Sequence, residues 1–175
     1  MRRPSSCDRP PGGLWALGVL ALGLLAALVS CGGDTVNVDV NFPSQETFLR
    51  SESARVFRFK LREDQRDLCP NLLRETALGQ PSTTPDWDSG LVPICDLHEG
   101  LTVPVDGSGW RAFIVLTENE ADQVLLAGCT VTNTAPSGVT VRLAPTPTYV
   151  QLYVDGTPAV LSCKTTDEKC ETGCD

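Results

Sequence analysis

The sequence predicts a mostly β protein, an antiparallel β-sandwich with one short helix, preceded by the helix of an export signal. Three observations predict it. Segments alternating apolar and polar residues recur about every 8–12 residues from Thr35 onward, separated by turns rich in Gly, Pro and Asp. Only Pro70 to Leu78 carries helix start and stop signals beyond the leader. Six cysteines lie downstream of Cys31, enough to staple a domain of this length. A composition of 41% hydrophobic residues with 13 Pro and 15 Gly suits a turn-rich globular chain rather than a disordered one.

Each element has a local reason. Thr35 to Asn41 (TVNVDVN) places Val36, Val38 and Val40 on one face, a half-buried strand that Pro43 ends. Ala54 to Leu61 (ARVFRFKL) sets Phe57, Phe59 and Leu61 on one face and Arg58 and Lys60 on the other. With Arg55 and Arg62, those cations read as the solvated side of a strand. Arg62 to Asp67 is a charged turn. Pro70 to Leu78 has proline in its first turn and Gly79 just past its end, and nine residues must pack on something to persist. Gln80 to Gly90 (QPSTTPDWDSG) reads as a loop whose Trp87, between Asp86 and Asp88, covers the core.

Leu91 to Asp96 is a short strand that Pro93 confines to an edge, and Leu101 to Val105 carries Pro104. Asp106 to Gly109 turns into Trp110 to Thr117 (WRAFIVLT), apolar on both faces and therefore a central strand. Glu118 to Asp122 is a loop, Gln123 to Val131 a strand and Thr132 to Gly138 a turn. Val139, Val141 and Leu143 alternate in a further strand, after which Pro145 and Pro147 break the chain. Tyr149 to Val154 reads as a strand entering an Asp155-Gly156 hairpin, with Ala159 to Ser162 pairing back as an edge behind Pro158. Lys164 to Asp175 is polar and needs bonded cysteines to be ordered.

The formal charge is -8; without Arg2, Arg3, Arg9 and Asp8 of the leader, 11 basic and 21 acidic residues remain. A surface near -10 repels nucleic acid and anionic lipid headgroups, so no nucleic-acid partner is expected. Membrane attachment therefore has to come from an anchor.

Arg2, Arg3 and Arg9 precede the apolar run Leu14 to Leu28, about the length of a signal-peptide h-region. A permanent span takes about 20 apolar residues, so a signal anchor is disfavoured; ordinary cleavage among the small residues is the other outcome. Leu28-Val29-Ser30-Cys31 resembles the lipobox of bacterial lipoproteins. The resemblance implies cleavage between Ser30 and Cys31, diacylglycerol on the Cys31 thiol and acylation, palmitate included, of the new amino terminus. Two or three acyl chains anchor stably where one does not. Gly32 in place of Asp implies, in the Gram-negative sorting pattern, the outer membrane. The residues around Arg2-Arg3 fit a twin-arginine signal poorly, which leaves the Sec route. The organisation is then signal peptide 1–30, lipidated tether 31–34, sandwich domain 35–162 and Cys-rich tail 163–175. The stretch Val103 to Pro145 also resembles, in shape, immunoglobulin-like and prealbumin-like modules: a proline-bearing strand, a Gly-rich turn, Gly109-Trp110 opening an apolar strand, and an alternating last strand.

Cys69, Cys95, Cys129, Cys163, Cys170 and Cys174 read as disulfide candidates in an exported chain, with 15 possible pairings. Cys69 with Cys95 is preferred, because it closes the loop that carries the helix. The tail cysteines lack the two-residue ligand spacing usual for zinc, and no metal or cofactor is expected. The single histidine, His98, would have to serve any Ser-His-Asp or Cys-His arrangement, yet it sits between Asp96 and Glu99 in a predicted loop with no partner motif. No catalytic residues are assigned. The expected protein is a lipid-anchored, non-enzymatic binding or scaffolding module, engaging the membrane through Cys31 and an envelope protein through an exposed strand edge. The alternatives are a small-ligand or ion carrier using the acidic loops around Trp87 and Asp96, with Trp110 as a second candidate for a pocket wall, and an enzyme centred on His98.

Overall fold

The computed structural model describes residues 34–134, 138–156 and 161–173. Ser30, Cys31 and the rest of the expected leader lie outside them, as do Cys174, Pro158 and the first half of the expected Ala159 to Ser162 strand. The elements are, in order, β1 (Asp34–Asn41), α1 (Gln45–Arg50), β2 (Ser53–Lys60), α2 (Cys69–Ala77), β3 (Trp87–Pro93), α3 (Ile94–His98), β4 (Leu101–Val105), β5 (Gly109–Glu118), β6 (Val124–Thr134), β7 (Val139–Arg142), β8 (Ala144–Pro145) and α4 (Pro147–Tyr149). The protein is mostly β, with two open sheets and a few short helices. The larger sheet runs β3-β2-β5-β6-β8 and the smaller β4-β1-β7.

The two sheets bury a common core. Val36 and Val38 of β1, Val103 and Val105 of β4, and Val139 and Val141 of β7 meet Ala54, Val56, Phe113 and Val115 of the larger sheet. Their period of two sends every second side chain inward. The expectation of a wholly antiparallel sandwich fails at one place: β1 pairs antiparallel with β4 but parallel with β7. β6 ends in one sheet and β7 begins in the other, so no hairpin dictates their mutual direction. Gly128, within β6, lets the chain leaving β7 pass close by, since a Cβ there would collide with the Arg142 carbonyl.

The opposite face of the larger sheet is covered by α2. Phe57, Phe59, Leu61, Ala112, Ile114 and Leu116 pack with Leu72, and a disulfide from Cys69 to Cys129 ties the helix start to β6, Cα to Cα 5.9 Å. β2 is thus buried on both sides, which corrects the solvated reading of its cations. Arg58 is 4% exposed, on the same face as Val56. It stays charged-paired there: its guanidinium donates to Asp86 Oδ2 from Nε at 3.1 Å and Nη2 at 2.8 Å, and to the Pro104 carbonyl. Arg111 is 1% exposed and holds the 106–109 turn, donating to the Asp106 carbonyl at 2.7 Å and the Trp110 carbonyl at 3.2 Å. Lys60 and Arg62 are exposed as expected.

The helix expected over Pro70 to Leu78 is present as α2, and further short helices join it. Trp87, read as a loop residue, opens β3 opposite Arg58 and packs against the inter-sheet core. Ser89 holds the strand by accepting from the Val56 N–H at 2.9 Å. The strand expected to reach Asp96 stops at Pro93, and Ile94 to His98 coil so that Ile94 and Leu97, three apart, are both buried. Tyr149 to Val154, expected as the strand entering a hairpin, is coiled instead. Thr146 caps a helix there, its Oγ1 accepting from the Tyr149 N–H at 3.3 Å, with Pro147 in the first turn. The coil continues as a π-type turn over Val150–Val154, stacking Tyr149 on Tyr153 with centroids 5.1 Å apart.

Candidate functional site

Helices and tail converge at one end of the sandwich. There Ser44 caps α1 with a reciprocal pair: its Oγ accepts from the Thr47 N–H at 3.2 Å, and its N–H donates to Thr47 Oγ1 at 3.1 Å. The cap fixes the helix so that Phe48 and Leu49 enter the core, while Arg50 lies over the Tyr153 ring at 4.3 Å and pairs with Glu46 at 2.9 Å. α3 follows directly on β3 and turns Cys95 toward the tail, where it is disulfide-bonded to Cys170, Cα to Cα 5.5 Å. The tail forms its own turn: the Glu168 N–H donates to Thr165 Oγ1, and Glu168 Oε2 accepts from the Lys164 N–H. That turn aims Lys169 inward, where Nζ donates to the Leu49 carbonyl at 2.8 Å and pairs with Glu52 at 2.7 Å.

Between these pieces runs a cleft of about 580 Å3. Leu49, Ile94 and Leu161 give it an apolar wall, while Arg50, Tyr153 and Lys169 line its polar side. Both cations already have carboxylate partners, so the cleft is not a plain anion trap. Burial pushes the nearby Tyr149 phenol up, against the pull of Arg50. The arrangement can seat an apolar group beside a ring of paired charges.

The sequence-predicted residues fall elsewhere. Cys69 and Cys129 bind each other, and so do Cys95 and Cys170, rather than Cys69 with Cys95. Cys69 lies on the helix-covered face of the larger sheet and Cys95 on α3 at the sandwich end, so the two are on different sides of the fold. Cys163 is buried in the inter-sheet core and is disulfide-bonded. Trp87 and Trp110 line neither this cleft nor each other's surroundings: Trp110 packs on the helix-covered face beneath Arg66, 5.1 Å from its centroid. Asp86 and Asp88 are engaged by Arg58 and Arg55. Among the described residues no three His, Cys, Asp or Glu side chains gather as a metal group. His98 is exposed on α3, its ring against Phe48 with centroids 5.0 Å apart, and it makes no hydrogen bond or ion pair among the described residues.

The cleft residues Arg50, Tyr153 and Lys169 were not singled out by sequence reasoning. The available signal was Thr146-Pro147, an N-cap residue followed by a first-turn proline, with Tyr149 and Tyr153 four apart. No protein-family model matches the chain, and neither a curated protein nor a solved structure matches it.

Proposed function

We propose that the chain is a lipid-anchored lipoprotein of the cell envelope whose folded part is a non-enzymatic binding or scaffolding module. The observation that carries the reading is the tetrapeptide Leu28-Val29-Ser30-Cys31 at the end of a short apolar run, three residues before β1 begins at Asp34. The cystine bonds support an oxidising compartment, as export would supply. By the same resemblance Gly32 directs the protein to the outer membrane, and the poor fit of the residues around Arg2-Arg3 to a twin-arginine signal favours the Sec route. The finer assignment to immunoglobulin-like or prealbumin-like modules belongs to the proposal too; it is supported by the proline-bearing β4, the 106–109 turn and the apolar β5, and it must accommodate the parallel β1–β7 pair.

The partner is a protein of the envelope, taken at the end of the molecule that holds the cleft. β3 supports this: it is an edge strand, Leu91 on it is 61% exposed, and Pro93 at its end lines the cleft. β1 starts beside the 106–109 turn, where Asp34 pairs with Val105, and runs toward α1 and the cleft. A second reading, a small-ligand carrier, is favoured by the volume of that cleft rather than by Trp87 and Asp96.

Mass spectrometry of the membrane fraction tests the proposal. The wild type is expected to begin at Cys31 and to carry diacylglycerol and an amide-linked acyl chain. Cys31→Ser is expected to lose both and to leave the acyl-anchored fraction. An unmodified Cys31 in a soluble wild-type protein refutes the reading.

A further inference from the structure

The wall that the tail gives to the cleft is held differently from the rest of the fold. From Lys164 to Gly173 no residue is buried, and only Thr166 and Lys169 are half-buried, so apolar burial does not keep the segment in place. Its base is fixed, since Cys163 is 2% exposed and itself disulfide-bonded. Beyond that base two attachments reach the body of the domain among the described residues. One is the Cys95–Cys170 bond to α3, and the other is Lys169 Nζ on the Leu49 carbonyl and Glu52. The Glu52 carboxylate is 43% exposed, and a pair open to water on one side holds weakly. The remaining hydrogen bonds of the segment are its own: the Lys164 N–H to Glu168, the Glu168 N–H to Thr165 and the Thr172 hydroxyl to the Glu168 carbonyl. The turn therefore moves as a unit.

The two located disulfides differ in access. Cys170 is exposed, whereas Cys69 and Cys129 are both half-buried and Cys129 packs against the helix-covered core. A reductant in solution reaches Cys95–Cys170 first, and exposed bonds are the labile ones. A second recess, about 250 Å3 and bordered by Phe57, Ala77 and Glu118 where α2 ends, takes no wall from the tail.

We propose that the tail is a redox-released strap over the cleft, with Cys95–Cys170 as its latch and Cys163 as its hinge. A thiolate of a dithiol reductant attacks Cys170 Sγ and forms a mixed disulfide with it, while Cys95 leaves as a thiolate and takes up a proton. The second thiol of the reductant then displaces Cys170, and the reductant ends as its own disulfide. Two electrons and two protons thus pass to Cys95 and Cys170. With the latch open, Lys169 and Gly173 leave the cleft wall, Glu52 and the Leu49 carbonyl lose their cation, and the approach to Leu49 and Ile94 widens. In an oxidising compartment the strap is closed by default. The inference adds a control to the cleft assigned above to the partner, and it rests on that reading only for what the control governs.

Dithiothreitol is the probe. The folded, oxidised full chain is exposed to it, samples are alkylated with iodoacetamide over time, and peptide mass mapping locates the label. Cys95 and Cys170 are expected to label about tenfold faster than Cys69 and Cys129, and ahead of Cys163. Trypsin then reads the strap in the alkylated, reductant-free protein. Cleavage after Lys169 takes that side chain out of the cleft, and it is expected to rise about tenfold once Cys95 and Cys170 are labelled, with cleavage after Lys60 in β2 unchanged. Cys95→Ser with Cys170→Ser is expected to give the same rise without reductant. If that variant is cut after Lys60, its fold is lost, and the wild type labelled only at Cys95 and Cys170 supplies the reading. Equal labelling rates at the two bonds overturn the proposal, as does unchanged protection of Lys169 once the latch is open. The readout uses no partner, so a cleft that takes none refutes the docking reading and leaves the strap as measured.

Discussion

On one face of the larger sheet, Val56, Phe113 and Val115 pack against six valines drawn from three strands; on the other, Phe57, Phe59 and Ile114 lie under a single nine-residue helix. The first cover is cooperative, since each strand is held by its neighbours' hydrogen bonds as well as by burial. The second is a short helix that would be marginal alone and is held by its apolar stripe and the Cys69–Cys129 bond. The first face can afford two buried arginines near one end because the backbone there supplies carbonyls and Asp86 for them. The second contains no such charge among its buried residues, and where the helix runs out the sheet is left open. A sheet sealed by a sheet tolerates polar inclusions; a sheet sealed by a stapled helix stays greasy and leaves room at the margin.

Removing the staple should have the largest effect. Cys69→Ala with Cys129→Ala is expected to cost about 4 kcal/mol by loop-closure entropy, read as a shift of the urea midpoint, and to expose the helix-covered face to a hydrophobic dye. If Cys95→Ala with Cys170→Ala exposes that same face equally, the two covers are not independent and the comparison breaks. Arg58→Ala comes next, at about 3 kcal/mol, because it leaves Asp86 and the Pro104 carbonyl without their donor. A loss below that of an ordinary surface substitution would show that the inter-sheet face gains nothing from its cation.

Ser44→Ala, which removes the cap of α1 at the cleft end, is expected to cost about 1 kcal/mol with little change at the α2 face. Glu118→Gln should be the smallest. Burial makes the folded carboxyl hold its proton more tightly than the unfolded one. Stability therefore falls as pH rises from the ordinary carboxylate value through the raised one, and the loss is complete above it. The substitution is expected to raise the melting temperature slightly at neutral pH and not at all in strong acid. A pH-independent rise would mean that the charge of Glu118 is not what strains this margin.

Much of the sandwich was legible because its strands obey the period of two. β1, β2, β4, β5 and β7 lie within a residue or two of where alternation puts them, and α2 lies one residue from where Pro70 and Gly79 put it. What was not legible depends on contacts distant in sequence. Arg58 looks solvated beside Lys60, and only the second sheet, arriving with β4, buries it. Trp87 looks like a loop residue among Pro, Ser and Asp, and pairing with β2 makes it a strand. The cleft brings together α1, α3, the coil after Pro147 and the tail, so no contiguous motif could announce it; the bond from Cys95 to Cys170 is what joins two of its sides. Local signals also conflict there: Asp155-Gly156 has the composition of a hairpin turn, while Thr146 and Pro147 start a helix.

The placement of β1 between β4 and β7 has a kinetic consequence. Val38 lies opposite Leu101 on one side and Val139 on the other, so the first strand of the domain finds one partner before β5 begins and the other only after β6 is complete. Pairings this distant in sequence are slow to form. β1 and β4 can pair as early as β2 and β5 do, but the other edge of β1 waits for β7. The parallel β1–β7 pair is therefore the late step of folding, and the interval before it closes is when the chain is most open to aggregation.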